Sequence, residues 1–307
     1  MSIQSEINRI KSGVDNQSEI IAQIKTVLQG KASSGGGGED PNSKALFYYE
    51  DYDEEGYPHT LVITQSIPSN TIENGRTIPK LFATHYYGYL GINARVNKVV
   101  LPDDVTVLDN TLMISYAIDE VDGWDNLVYI GDNCFYSCKI LKTITDFPPN
   151  LTWLGRTAFD SCTVREDLPT LPDGITNIGE RCFIYCWSSN NIVAFKKLPN
   201  SLITIGKEAF YNNGFGLFPE TVYIPASVKT IGDRAFRGAI CNTKTIVFRG
   251  TPESIGATSF DDFKKVTGIR HIYVPWAEGA VANAPWSATN ATIHYNTQFD
   301  ENGNIIE

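Results

Sequence analysis

Six times between residues 130 and 260 the chain repeats one short pattern: an aliphatic residue and Gly, two variable positions, then a small residue and Phe. The copies run Ile130-Gly131 to Cys134-Phe135, Leu154-Gly155 to Ala158-Phe159, Ile178-Gly179 to Cys182-Phe183, Ile205-Gly206 to Ala209-Phe210, Ile231-Gly232 to Ala235-Phe236 and Ile255-Gly256 to Ser259-Phe260. Their aliphatic residues are spaced 24, 24, 27, 26 and 24 positions apart. A unit of that size cannot bury a core of its own and must stack on its neighbours, so the period predicts a solenoid.

Each unit has a second half, a short strand that ends at Pro. It reads Val99-Val100-Leu101-Pro102, Val222-Tyr223-Ile224-Pro225 and Ile272-Tyr273-Val274-Pro275, with Ile246-Val247-Phe248 as a copy without the Pro. Strand alternation turns Val222 and Ile224, Ile246 and Phe248, and Ile272 and Val274 inward. Pro ends the ladder because it has no N–H to donate. The Gly of the first half is expected either to take a positive φ or to allow close backbone approach. The small residue lets coils stack, and Phe fills the space between them. Val107-Leu108 to Met113 reads as a degenerate first unit of the kind that caps a repeat array.

The same register accounts for the cysteines. Cys138, Cys162 and Cys186 each follow a repeat Phe by three residues, and Cys134 and Cys182 occupy the small-residue slot. Five of the six are therefore expected as buried free thiols, and no further ligand stands at zinc spacing beside them.

Before the repeats lies a different pattern. Ile3, Ile7, Ile10, Val14, Gln17, Ile21, Ile24 and Leu28 are spaced alternately four and three apart, the a/d seam of a coiled coil. Isoleucine at both seam positions favours three or four strands over two, so a trimer is expected. Residues 30–43, with four consecutive glycines, form a linker. They are not a phosphate loop, because no apolar strand precedes them and no Lys-Ser/Thr follows. Next, Ala45–Tyr49 and Thr60–Thr64 flank an acidic turn and predict a hairpin. That turn starts like a calcium loop, but its twelfth position is Val62 instead of Glu. The expected divisions are 1–29 attachment helix, 30–43 linker, 44–96 β-rich cap, 97–275 repeats and 276–307 C-terminal cap.

The balance of 25 basic against 35 acidic residues, a formal net charge of −10, argues against nucleic acid and anionic membrane as partners. No apolar stretch reaches the roughly 18 residues of a membrane span, and the first residues do not read as an export signal. His59, His85, His271 and His294 lie in different segments, and none stands in a metal spacing or beside a nucleophile motif. No catalytic, cofactor or metal residue is expected, and no cofactor. Binding is the better lead. Tyr48, Tyr49, Tyr52, Tyr57, Tyr86, Tyr87 and Tyr89 crowd the segment before the repeats. One repeat apart, Tyr223, Val247 and Tyr273 should form an outward column, an exposed apolar stripe for a ligand or neighbouring subunit.

The units resemble the BspA-type leucine-rich repeats: a strand ending in Ile-Pro, a Ser-Val-x-x-Ile-Gly turn, then Ala-Phe and a following Cys. The best copy is Ile224-Pro225-Ala226-Ser227-Val228-Lys229-Thr230-Ile231-Gly232-Asp233-Arg234-Ala235-Phe236. That resemblance implies a mostly β solenoid, here preceded by an α-helical coiled coil. The start, Met1 to Ile10, is similar to short N-terminal helices of phage tail and other virion proteins. The runs Val274 to Trp286 and Asn290 to Tyr295 resemble the ends of repeat proteins in phages of Gram-positive hosts. Together these imply a non-enzymatic virion structural protein of a bacteriophage, in the tail, baseplate or a fibre, assembled in the host cytoplasm. Its expected partners are other virion proteins, copies of itself through the N-terminal helix, and a host-surface glycan or protein. The alternative is a bacterial cell-surface adhesin or carbohydrate-binding module; the missing export signal favours the first.

Overall fold

The computed structural model describes residues 47–53, 58–63, 71–73, 76–78, 96–103, 105–108, 117–164, 168–186, 194–212, 217–261, 268–301 and 304–306. The heptad segment and the linker lie outside these residues, and so does most of the tyrosine-rich stretch. Among the described residues the only α-helix is a single turn, α1 (Ile140–Thr143).

The predicted hairpin is present as β1 (Phe47–Tyr52) and β2 (Pro58–Ile63), paired antiparallel. A two-strand ribbon, β3 (Thr71–Glu73) with β4 (Arg76–Ile78), follows it. From β2 onward the pairing turns parallel: β2 runs beside β5 (Lys98–Val100), and β5 beside β7 (Glu120–Asp122). At the other end of the body β12 (Thr221–Ile224), β14 (Thr245–Phe248), β16 (Arg270–Tyr273) and β17 (Ala291–His294) form a second parallel sheet of four strands. The solenoid thus continues past Pro275 for one more strand. A small hairpin, β18 (Gln298–Phe299) with β19 (Ile305–Ile306), follows it.

The aliphatic-Gly half of the repeat, expected as a turn, also contributes strands. β6 (Val107–Leu108), β8 (Tyr129–Ile130), β9 (Trp153–Leu154), β10 (Asn177–Ile178), β11 (Thr204–Ile205), β13 (Thr230–Ile231) and β15 (Ser254–Ile255) build a seven-stranded parallel sheet. Two residues per strand suffice because each is pinned in register by the coil before it.

Glycine serves here through close approach. The N–H of Gly206 donates to Ile178 O at 2.8 Å, and a Cβ on Gly206 would stand 2.4 Å from Glu180 N. The positive φ falls two positions later, on residues that are not glycine: Asn133, Thr157, Arg181, Glu208 and Arg234 have φ between 51 and 57°. Their N–H groups reach across to the next coil, as Glu208 does to Asp233 O at 2.9 Å. That bond holds each of them in a region that L-residues ordinarily avoid. The backbone ladder so formed is the third wall.

Inside, the repeat phenylalanines stack. Phe135, Phe159, Phe183, Phe210, Phe236 and Phe260 follow one another at 5.3–5.5 Å with planes within 16° of parallel. A tryptophan meets each end of the ladder edge-on, Trp124 against Phe135 and Trp286 against Phe260. A second file, Phe147, Phe195, Phe218 and Phe248, packs its edges against the first. Burying each ring contributes about 2–3 kcal/mol, and each aromatic pair about 1 kcal/mol more. Buried polar groups close the gaps by bonding carbonyls of the coil before: Asn212 to Cys186 O, Ser259 to Gly232 O, and Arg270 to Thr243 O and Ile240 O.

Candidate binding face

The C-terminal four-stranded sheet presents its alternate residues outward. Parallel register sets Tyr223 beside Val247, Val247 beside Tyr273, and Tyr273 beside His294. The predicted column therefore exists and gains His294 as a fourth member. It is not a continuous exposed apolar stripe. Tyr223 is 45 % exposed, but Val247 is only 1 % exposed. Valine is short, and larger rings stand on the strands at either side of it. Arg249, two residues on and so on the same face, lays its guanidinium 4.5 Å from the Tyr223 ring centre. The face is thus aromatic and polar, with valine as its floor.

At its far end three rings gather. Tyr273 stacks on His294 with centres 4.3 Å apart and planes 10° from parallel. His271, on the same outward side of β16, brings its Nδ1 to 2.9 Å from His294 Nε2. Sequence reading placed these histidines in separate segments. Parallel pairing of β16 with β17 joins residues that are 23 positions apart. The inward-facing Ile272 and Ile293, which pair with each other, were the signal that could have found them: His271 stands just before the first and His294 just after the second, so both turn to the opposite face.

The third wall carries a different chemistry. Glu208, 4 % exposed, accepts from Arg181 Nε at 2.7 Å and Arg234 Nη1 at 3.2 Å. Burial alone would raise its carboxyl pKa, but these two hydrogen bonds outweigh it and hold the pKa below the ordinary 4.5. Near the other end, a cleft of about 290 Å³ is lined by Trp124 and by Asp119, Glu120, Asp122, Asp125 and Asp146. Lys98 reaches across to Glu120 at 2.8 Å and Asp122 at 2.9 Å, and these hydrogen bonds hold its ammonium above the ordinary lysine range.

The five cysteines assigned to repeat slots are all buried, and all six in the chain are free thiols. Burial pushes the thiols of Cys138, Cys162, Cys182 and Cys186 well above the ordinary range. Cys162 and Cys186 donate to the Phe135 and Phe159 carbonyls of the preceding coil. Among the described residues no group of three or more His, Cys, Asp and Glu is arranged to hold a metal ion. Ile3, Ile7, Ile10, Val14, Ile21, Ile24 and Leu28, the expected oligomerisation seam, lie outside the described residues.

A family model described as the BspA type leucine rich repeat region matches this chain in six copies, over residues 105–239 and 185–273, together more than half of its length. Similar solved structures include a leucine-rich repeat protein from Bacteroides ovatus ATCC 8483, at 17 % identity and a TM-score of 0.46, covering 83 % of this chain and 71 % of that one. The T. pallidum leucine-rich repeat protein is 18 % identical with a TM-score of 0.35, covering 73 % and 88 %. A leucine rich cell surface protein from Faecalibacterium prausnitzii A2-165 is 14 % identical with a TM-score of 0.26, covering 87 % and 96 %. No curated protein matches the chain.

Proposed function

We propose, for a chain that belongs to the BspA-type leucine-rich repeat family, that it is a non-enzymatic display protein whose repeat body offers a binding face to a partner. The observation that carries this reading is the outward row on the C-terminal sheet, where Tyr223, Tyr273 and His294 stand in register with Arg249 stacked beside them. Tyrosine and arginine on a rigid sheet supply contact area at little loss of side-chain freedom, which is what an interface core needs. The partner is a host-surface glycan or protein, or a neighbouring subunit.

In its finer form the reading is a bacteriophage virion component, in the tail, baseplate or a fibre, assembled in the host cytoplasm among other virion proteins. Its support is in the sequence: the heptad of Ile3 to Leu28, then the glycine linker, then the repeat body. Three chains would join through the heptad and hold three binding faces on hinges, which raises avidity without any new contact.

Two measurements test it. Light scattering on the full chain and on residues 44–307 should give a trimer and a monomer; a monomeric full chain removes the display arrangement. Purified particles from cells carrying the neighbouring genes should contain the chain. Particles that lack it, with the chain on the bacterial surface instead, would establish the adhesin.

A further inference from the structure

We infer that His271 and His294 form a two-imidazole site for a divalent transition-metal ion, with copper(II) the tightest binder and nickel(II) weaker. The warrant is the distance between the two nitrogens that face each other, His271 Nδ1 and His294 Nε2, which is 2.9 Å. That is the length of a hydrogen bond, and it also brings two imidazole nitrogens close enough to be bridged by one ion with metal–nitrogen bonds of about 2.0–2.1 Å.

The backbone fixes that spacing. His271 and His294 belong to paired parallel strands, His271 opposite Thr292 and His294 opposite Tyr273, so they are diagonal neighbours two positions out of direct register and neither can drift from the other without breaking the sheet. Tyr273 stacks on the His294 ring at 4.3 Å and restrains its rotation. The mutual contact is the sole hydrogen bond to either ring among the described residues, so no competing partner has to be released. No carboxylate or cation among the described residues is ion-paired with either ring.

In the metal-free protein one nitrogen of the pair is an N–H donor and the other an acceptor. On metal binding the donor ring moves its proton to its own other nitrogen, and both lone pairs then turn to the ion. Charge and protons balance without any redox step. Both rings are half-buried, so the remaining coordination positions open outward on the candidate binding face, to water or to a donor atom of a partner. The acidic balance of the chain, −10, favours accumulation of cations at its surface.

The test is a copper(II) titration of the full chain, read by calorimetry and by electron paramagnetic resonance. Variants are His271→Gln, His294→Gln and the double substitution, with His59→Gln as control because His59 stands in the N-terminal hairpin beside Asp53. Circular dichroism and melting without metal verify that each variant is folded. The wild type should bind one more copper than the double variant, with a spectrum showing two coordinated nitrogens. Each single variant should weaken that site by more than about 100-fold, exceeding what loss of an outer-shell partner typically does. Nickel should bind the same site more weakly than copper. His59→Gln should behave as wild type. An isotherm and spectrum unchanged in the double variant would overturn the proposal.

Discussion

The central coils and the C-terminal coils close the same tube by different means. In the C-terminal coils the segment before the Pro position is a β-branched or aromatic run, Val222-Tyr223-Ile224, Ile246-Val247-Phe248 and Ile272-Tyr273-Val274, and it forms four-residue strands. In the central coils the same position holds Phe147-Pro148, Leu171-Pro172 and Leu198-Pro199, and no strand forms there. Tertiary side-chain contacts take over. Phe195 packs on Phe183 and Phe210, and Asp173 bridges coils by accepting from Lys197 Nζ and from the Asn200 N–H, both at 3.1 Å. A repeat therefore need not keep hydrogen-bonded strands on every wall, provided that one wall keeps register and the interior stays filled. The strand-bearing wall is also where an outward face is rigid enough to hold side chains in rows.

If the central coils depend on filled volume, Phe210→Ala should be the most damaging single change. Phe210 touches Phe183, Phe195, Phe218 and Phe236, and is fully buried. The expected loss is about 3–5 kcal/mol in urea unfolding. A loss below about 1 kcal/mol would mean that the coils relax into the void and that the comparison fails. Next in size, Val247→Pro should lower stability by about 3 kcal/mol, because β14 is paired on both sides and proline removes a ladder donor. In the central wall Lys197 holds the place equivalent to Val247, is exposed and lies outside any strand, so Lys197→Pro should fall well short of that figure. Equal losses at the two sites would show that the walls are not built differently.

How far these differences could be read beforehand depends on the scale of the signal. The period, the Phe ladder, the thiol slots and the inward residues of β12, β14 and β16 were legible because each repeats, and repetition separates packing from accident. The two-residue strands were not, because Thr230-Ile231 or Thr204-Ile205 alone has no strand pattern; stacking creates it. Nor was the burial of Val247. Its outward position followed from alternation, but its burial depends on standing between Tyr223 and Tyr273 in the assembled sheet. The pairing of His271 with His294 needed the register of a strand, β17, whose Ala291-Thr292-Ile293-His294 was read as part of a cap. Catalytic chemistry has no repeat to betray it, and the cleft beside Trp124 draws its carboxylates from two separate stretches of chain, 119–125 and 140–146.

A smaller effect belongs to the third wall, where a buried carboxylate is held between arginines of the neighbouring coils. Glu208 has its folded-state pKa lowered, so it contributes stability that is present above about pH 4.5, the ordinary glutamate value, and is lost as pH falls through the folded value. Glu208→Gln keeps the shape but removes the negative charge that Arg181 and Arg234 share; both are about half-exposed, so water screens part of the loss. The expected destabilisation is about 1 kcal/mol at pH 7, shrinking toward zero at acid pH because the wild type loses the same interaction there. Unfolding midpoints of both proteins between pH 7 and pH 3 read it directly. A gap that stays constant with pH would assign the effect to packing of the side chain in its left-handed backbone position instead of to its charge.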